Sequence, residues 1–293
     1  MTITLPPHRA QQLHDLLHNL SHQKRTSTKK WHHLLGVLCS TTPALYGAKH
    51  LFSILQHALR QTQHGRLHIT HLLRQVHHTW LLLIETMSSV PVPLHMLVPH
   101  PPQCIAATDA SGQGMGGFWR NHASNVLWRS PFPNVIKTKL LTASNPTGTI
   151  TINDLELAAI ITGGTLAAQD TNILYSNILL ASDNIPAISW VTKGSTTCDT
   201  APAFLVQHLS TIRCAHLFDI LACYTLGDTN KIADCRSRFF HLSDTEFLAY
   251  MNHTYLVQPC WQLLTLPNEI KSVMTFALLR QPPPPALLCP DPM

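Results

Sequence analysis

The spacing of apolar residues divides the chain into a helical first part and a second part that begins with strands. Within residues 1–90, leucines and tryptophans recur at intervals of three and four in four segments, which predicts four helices. Ser27 or Thr28 could cap the second of these helices at its N-terminus. Residues 91–103 are rich in proline, which predicts an extended linker. We therefore expect an all-helical region, a linker and then a separate domain.

From residue 104 the pattern changes to short apolar runs separated by turns. Runs at 104–107, 117–119 and 125–129 follow each other closely, which predicts an antiparallel meander of three strands. Two later runs, at 173–181 and 218–224, alternate with helical segments, as parallel strands do in crossover units.

The order of these segments predicts an α/β fold for residues 104–240. We expect a mixed five-stranded sheet, made of the antiparallel meander plus parallel strands and flanked by helices. The tail at 241–293 should be helical and rich in proline, and Ser243 with Glu246 fits a capping box at its start.

Positive charge and histidine are concentrated in the first hundred residues. These residues carry 9 Lys/Arg against 2 Asp/Glu and the remainder carries 11 against 13, so balances of +7 and −2 make up the net +5. Of the 20 histidines, 15 also fall in the first hundred residues. A basic surface favours a polyanionic partner such as nucleic acid, although a merely solvated helical surface has the same composition.

Neither histidine nor cysteine spacing predicts a metal site. His64, His68 and His71 are suitably spaced, but no acid or thiol lies near them in sequence, so we interpret them as surface residues. The eight cysteines form no Cys-x-x-Cys pair, which favours reduced thiols in an intracellular protein of the cytoplasm or nucleus. There is no secretory signal and no apolar segment of membrane-spanning length, so we expect no membrane partner.

Four acids of the second domain could share one site. Asp109 closes the first predicted strand and Asp183 the fourth, so the two lie side by side if these strands are neighbours. Glu156 and Asp234 lie on helices that could reach the same edge. Such a cluster needs a counter-cation, because like charges raise each other's pKa. Mg²⁺ or Mn²⁺ suits all-carboxylate ligation, and two such ions support in-line displacement at a phosphodiester.

Each acid taken alone also has an ordinary structural explanation. Asn153 and Glu156 could be a helix-capping pair, and Asp183 could be a turn residue, as could Asp109. Asp234 could form an ion pair with a residue four positions on, Arg238. The coincidence of four such acids favours one shared site.

The segments around these acids resemble, as a set, the ribonuclease H domain attached to retroelement reverse transcriptases. The matching segments are Thr108-Asp-Ala-Ser-Gly with Gly116-Gly117, Asn153-Asp-Leu-Glu-Leu-Ala-Ala, Ala181-Ser-Asp-Asn, and Gly227-Asp-Thr-Asn-Lys-Ile-Ala-Asp-Cys-Arg-Ser-Arg238. The last is similar to a Gly-x-x-Asn-x-x-Ala-Asp-x-x-Ser-Arg signature common in these elements. The resemblance covers about residues 104–240 and implies a ribonuclease H-like fold.

The resemblance also implies roles for individual residues. It makes Asp109, Glu156, Asp183 and Asp234 the catalytic acids that bind two Mg²⁺ or Mn²⁺ ions. We assign contacts with the substrate to a second set of polar residues, namely Ser111, Asn184, Asn230, Arg236 and Arg238. The glycines that follow Asp109 would leave room for a nucleic-acid backbone. Family members often carry a histidine ten residues before the last acid, where this chain has Tyr224.

The helical region before the linker is similar to the thumb and connection region of a reverse transcriptase. The segment that carries this likeness is Trp31-His-His-Leu-Leu-Gly36. No two aspartates are adjacent anywhere in the chain, so the polymerase signature Tyr-x-Asp-Asp is missing. The chain therefore resembles a C-terminal piece of a reverse transcriptase without its polymerase core.

Three functions remain open from the sequence. The first is hydrolysis of the RNA strand of RNA/DNA hybrids, with nucleic acid and other retroelement polyprotein parts as partners. The alternative is an inert nucleic-acid-binding remnant of a retroelement. A third is another nuclease or a transposase that cuts DNA on the same kind of sheet.

Overall fold

The chain consists of two compact units. The computed structural model describes residues 2–45, 48–62, 65–87, 91–94, 98, 101–170, 177–196, 200–216 and 218–281. Unit 1 is formed by residues 1–99 with 194–197, and unit 2 by residues 100–193 with 198–293. None of the described helices is long and apolar enough to cross a membrane.

Unit 1 contains the four predicted helices together with two pairs of very short strands. In chain order its elements are β1 (Thr2–Ile3), α1 (Pro7–Ser21), β2 (Arg25–Ser27), α2 (Thr28–Thr41), α3 (Lys49–Arg60), β3 (Arg66–His68), α4 (His71–Met87) and β4 (Val92–Pro93). β1 pairs with β4 and β2 with β3, both antiparallel. The prediction of an all-helical region was therefore incomplete, because two- and three-residue strands have no periodicity to detect.

The helices of unit 1 bury the apolar positions that predicted them. Leu13, Leu17 and Leu20 of α1 are buried, and Ser27 caps α2 by accepting a hydrogen bond from the Lys30 backbone N–H. Residues 95–97, 99 and 100 of the predicted linker lie outside the described residues, and its Val92 and Pro93 form β4.

Two of the described histidines of unit 1 are buried and do not lie on the surface. His68 and His71 are exposed, as predicted, whereas His64 lies outside the described residues. His50 and His77 are buried, and the His77 ring lies against Trp31 with centroids 5.6 Å apart. Burial lowers the pKa of each to about 4, so both are neutral near pH 7.

Unit 2 holds a mixed sheet and the helices that cover it. Its elements are β5 (Cys104–Ala110), β6 (Gly114–Arg120), β7 (Asn125–Pro131), α5 (Asn134–Lys137), α6 (Ile152–Asp170), β8 (Asn177–Ser182), α7 (Ile185–Lys193), α8 (Ala201–His216), β9 (Asp219–Tyr224), α9 (Lys231–Arg238), α10 (Asp244–Thr254), β10 (Trp261–Thr265) and α11 (Asn268–Leu278). The predicted meander and both crossover strands are confirmed. The part of the predicted fourth strand at 173–176 lies outside the described residues.

The sheet has six strands in the described residues, not the five predicted. Their order is β10-β7-β6-β5-β8-β9. β5, β6 and β7 form the antiparallel meander, whereas β8 runs parallel to β5 and β9 parallel to β8. The sixth strand, β10, pairs parallel with β7 at the sheet's edge. It comes from the segment predicted to be a helical tail, because a five-residue edge strand carries a weak pattern.

Helix α6 packs on one face of the sheet and α9 on the other. Every residue from Asp154 to Ala168 of α6 is buried, which explains why that stretch has no polar face. Its Gly163 approaches the side chain of Thr108 on β5. On the opposite face, a Cβ at Gly116 would lie 2.5 Å from the Cβ of Arg236 in α9.

The glycines of β6 therefore make room for protein, not for a ligand. Gly114 is covered by the ring of Phe240, Gly116 by Arg236, and Gly117 by Thr108 and Trp128. The expectation that this Gly-rich stretch admits a nucleic-acid backbone was wrong for these three positions.

The C-terminal segment is tied to the sheet through Arg129 of β7. Its guanidinium pairs with Asp244 at 2.7 Å and donates to the backbone oxygens of Phe239 and Leu242. The capping box of Ser243 and Glu246 forms as predicted. Residues 241–281 thus belong to the domain that was predicted to end at residue 240.

Candidate metal centre

Three carboxylates meet at one edge of the sheet in unit 2. Since β5 and β8 are parallel neighbours, their carboxyl ends lie together, and these ends carry Asp109 and Asp183. Glu156 reaches the same point from α6. One oxygen from each of the three residues lies within 4.8 Å of the others, so the group could hold a metal ion.

Local capping at the start of α6 frees Glu156 for this position. The backbone N–H of Thr151 donates to the Asp154 carboxylate at 2.7 Å, and the Asp154 N–H donates to the Thr151 hydroxyl at 3.4 Å. The capping pair is therefore Thr151 and Asp154, and not Asn153 and Glu156. Instead, Glu156 Oε1 accepts a hydrogen bond from the backbone N–H of Ala110 at 3.0 Å.

Asp109 is buried between β5 and α9. It pairs across the meander with Gly116, on the face that α9 covers, and the Ser237 hydroxyl of α9 donates to its Oδ2. Burial raises the pKa of Asp109 to about 6; the charges of Asp234 and Asp183 act in the same direction, and the Ser237 hydrogen bond and the Arg238 charge oppose them. The carboxylate is therefore oriented by the protein but poorly compensated in charge.

Glu156 is also poorly compensated in charge. Burial, aided by the charges of Asp109 and Asp183, raises its pKa to about 9 against hydrogen bonds from the Ala110 N–H and the Ser182 hydroxyl. Its Oε2 is buried and has no hydrogen-bond partner among the described residues. A buried oxygen without a partner, next to two other carboxylates, fits a site for a hard cation that prefers oxygen ligands.

Asp183 lies on the open side of the group. It is partly exposed, and a Cβ at Gly227 would lie 3.0 Å from its Oδ2, so the turn before α9 passes close to it. The next residue, Asn184, accepts a hydrogen bond from the Ala187 N–H, which caps α7, and donates to Asn153 Oδ1 at 2.8 Å. Asp183 is thus the acid most accessible to a ligand from solvent.

Asp234 lies near the group but does not belong to it. Its charge raises the pKa of Asp109, yet its carboxylate pairs with Arg238 at 2.5 Å, one helical turn away. This is the ion pair that its spacing allowed. Arg238 also feels the charges of Asp109 and Asp183, which with Asp234 raise its pKa, so it supplies positive charge at the rim.

The residues predicted to contact substrate fall into two kinds. Ser111 and Asn230 are buried. The Ser111 hydroxyl donates to the backbone oxygen of Ser237 in α9 at 2.5 Å, and the Asn230 amide, in the turn before α9, donates to the backbone oxygen of Thr108 in β5 at 3.0 Å. Asn184 and Arg238 remain partly or well exposed at the rim.

Arg236 was wrongly predicted to contact substrate. It is fully buried, with its guanidinium over the rings of Phe118 and Trp261 at 5.2 and 5.4 Å. Because Gly116 removes a side chain at that point, α9 sits close to β6 and Arg236 points into the domain. In the described residues, Arg236 packs α9 against the sheet through Phe118 of β6 and Trp261 of β10.

The sequence interpretation missed Ser237 and Thr151. Ser237 follows Asp234 by three residues, which places it on a neighbouring part of the helix surface, and that spacing could have indicated its role. Thr151 precedes Asp154 by three residues, a capping-box spacing that competes with the one considered. Tyr224, in the position expected for a histidine, is exposed at the end of β9.

Comparison with known proteins adds no relative: no protein-family model and no curated protein matches the chain.

Proposed function

We propose that unit 2 is a ribonuclease H-like nuclease that hydrolyses the RNA strand of an RNA/DNA hybrid with the help of divalent cations. The observation that carries the proposal is the group of Asp109, Glu156 and Asp183 at the carboxyl ends of two neighbouring strands. The resemblance of the surrounding segments to the retroelement ribonuclease H domain, and the meander followed by parallel strands, support the same function.

The three acids have the chemistry that such a site requires. They would hold Mg²⁺ or Mn²⁺, which supplies a Lewis acid and an activated water at the phosphodiester. Asp109 is held in place by Ser237 and Glu156 by the Ala110 N–H, so two of the three ligands are oriented before any ion binds. Asp183, on the accessible side, would lie nearest to the scissile phosphate.

The rim of the site fits a nucleic-acid backbone. Arg238 provides positive charge next to the carboxylates, and Asn184 with Asn153 provides amide groups beside Asp183. Amide donors and acceptors suit recognition of 2′-hydroxyls, which distinguish an RNA strand from DNA. Asp234 would serve as a fourth ligand only after leaving its ion pair with Arg238.

A cleavage assay with matched variants tests the proposal. The purified chain is incubated with labelled RNA/DNA hybrid, DNA duplex and RNA duplex, with Mg²⁺ and then with EDTA. We expect cleavage of the hybrid's RNA strand only with Mg²⁺, and its loss in Asp183→Asn. Asp228→Asn changes an exposed acid outside the group and should retain activity. Cleavage that is equal in the wild type and Asp183→Asn, or absent from the wild type, would refute the proposal.

Binding without cleavage is the second candidate function. The pairing of Asp234 with Arg238 favours it, because it leaves three acids where the resemblance implies four. Salt-sensitive binding of hybrid by the wild type without turnover in Mg²⁺ or Mn²⁺ would support this candidate. Cleavage of the all-DNA duplex would instead indicate a DNA-cutting nuclease.

A further inference from the structure

Two histidines at the C-terminal end of α1 place their ring nitrogens together. His18 and His22 are four residues apart, and their Nε2 atoms lie 3.3 Å from each other. Both side chains are exposed, since Leu13, Leu17 and Leu20 turn the opposite side of the helix into the core of unit 1. The pair therefore faces solvent on a helix whose rotation is fixed by packing.

We propose that His18 and His22 form a chelating site for a borderline transition cation such as Zn²⁺, Ni²⁺ or Cu²⁺. Imidazole nitrogen is the ligand these ions prefer over the carboxylate oxygens that suit Mg²⁺. Zn–N bonds of about 2.0–2.1 Å at a tetrahedral angle put the two nitrogens about 3.3 Å apart, which is the separation observed here. Water would complete the coordination.

The ring orientation supports chelation over stacking. The rings of His18 and His22 meet edge-on, with centroids 4.6 Å apart and planes at 69°, so that nitrogen faces nitrogen. The preceding pair, His14 and His18, has the same sequence spacing but stacks with planes at 10° and centroids 6.0 Å apart. Equal spacing on one helix thus produces two different arrangements, and only the second converges on one point.

The position in the helix also favours a cation. His18 lies in the last turn of α1 and His22 is its C-terminal cap. The unpaired carbonyls at a helix C-terminus carry partial negative charge and stabilise positive charge nearby. Lys24 and Arg25 follow in sequence and oppose this effect in part.

Binding changes the tautomer of one ring without net loss of a proton from the neutral pair. A hydrogen bond between the facing Nε2 atoms requires one ring to carry its proton at Nε2 and the other to offer a lone pair there. Chelation needs a lone pair at both Nε2 atoms, and the donating ring then carries its proton at Nδ1. Because a bound metal requires a lone pair on each ring nitrogen, protons compete with the metal for this site.

A Ni²⁺ titration of the full chain by calorimetry, in excess Mg²⁺ to occupy oxygen sites, tests the proposal. The matched variant is the exchange His22→Gln with Gln23→His, which keeps the histidine count but moves the second ring off the facing position. We expect the wild type to bind one more tight equivalent of Ni²⁺ than this exchange variant and than His22→Gln. Circular dichroism checks that the overall helix content is unchanged in each variant.

Oxidation by Cu²⁺ and ascorbate, mapped by mass spectrometry, locates the bound ion. We expect 2-oxo-histidine at His18 and His22 in preference to the exposed neighbours His32 and His33, and loss of that preference in the exchange variant. An exchange variant that binds Ni²⁺ like the wild type, or oxidation spread evenly over exposed histidines, would overturn the proposal. Neither result depends on the nuclease activity of unit 2.

Discussion

Replacing Glu156 by glutamine should stabilise the metal-free protein, although it removes a proposed metal ligand. Glutamine retains the oxygen that accepts the Ala110 N–H and carries no charge, so it mimics the protonated acid. In the wild type without metal, Glu156 must either take up a proton on folding or place a third negative charge beside Asp109 and Asp183.

The size of the effect follows from the pKa of Glu156. That pKa rises from 4.5 in the unfolded chain to about 9 in the folded one. The stability associated with the protonated acid is complete below pH 4.5 and is lost as pH rises to about 9. The slope is about 1.4 kcal/mol per pH unit, which amounts to about 3 kcal/mol at pH 7 and under about 1 kcal/mol at pH 5. Asp109 adds a smaller loss between pH 3.8 and about 6.

Native-state hydrogen exchange in EDTA can measure this difference within unit 2. The free energy of opening of the β5 and α6 peptides is compared between wild type and Glu156→Gln from pH 5 to pH 8. Glu269→Gln makes the same chemical change at an exposed site on α11 and reports any general effect of the substitution. We expect a stabilisation by Glu156→Gln that grows with pH.

Two results would refute this reasoning. A Glu156→Gln variant that is less stable than the wild type at pH 7 would mean that the carboxylate is already compensated within the protein. A difference that does not change with pH would mean that Glu156 binds equal numbers of protons in the folded and unfolded chains over this range. Added Mg²⁺ should narrow the gap, because it stabilises only the ionised wild type.

Three further predictions concern packing and charge elsewhere in the chain. Gly116→Ala should destabilise unit 2 by about 1–3 kcal/mol, because its Cβ would lie 2.5 Å from Arg236. The control Gly36→Ala, at an exposed helix position with nothing within 4 Å, should stabilise α2 by up to about 1 kcal/mol. Denaturant unfolding compares the two variants, and an equal change in their unfolding free energies would contradict the close approach of α9. Arg129→Lys should lower the hydrogen-exchange protection of α10 by about 2 kcal/mol, because a lysine cannot bond Asp244 and two backbone oxygens together. Full protection in this variant would show that the guanidinium of Arg129 is dispensable. The pKa of His77 falls from 6.5 in the unfolded chain to about 4 in the folded one, so its contribution to folding stability is complete above pH 6.5, and about 3 kcal/mol is lost as pH falls to 4. His77→Phe should remove this part of the acid sensitivity of α2 and α4, measured by hydrogen exchange. An unchanged dependence of exchange on pH would argue against this role.

The acids of the candidate site could be predicted in part because strand ends are visible in the sequence. Asp109 and Asp183 each close an apolar run, and the prediction that they meet depended on those runs being neighbours, which the parallel pairing of β5 with β8 confirms. Glu156 could be placed only provisionally, since a capping role had the same spacing. The choice was decided by Thr151 and Asp154, which form the cap and leave Glu156 to turn inward.

The role of α9 depends on contacts that sequence spacing does not contain. Arg236 and Arg238 are two residues apart and chemically identical, and both were expected to face substrate. The absence of a side chain at Gly116 lets α9 approach the sheet, so Arg236 is buried over two aromatic rings while Arg238 stays at the rim and pairs with Asp234. No local pattern distinguishes them, because the difference arises from which face of the helix the sheet covers.

By itself, the sequence determined the helices of unit 1, the meander and crossover strands of unit 2, and the two aspartates at strand ends. These features depend on periodicity and on neighbours within a few residues, which are local properties of the chain. The tertiary structure alone decided that β10 joins the sheet, that Asp234 stays outside the three-acid group, and that His18 and His22 converge while His14 and His18 stack. The first two features depend on contacts between residues far apart in sequence. The third depends on the side-chain rotamers that three histidines of one helix adopt in the folded chain.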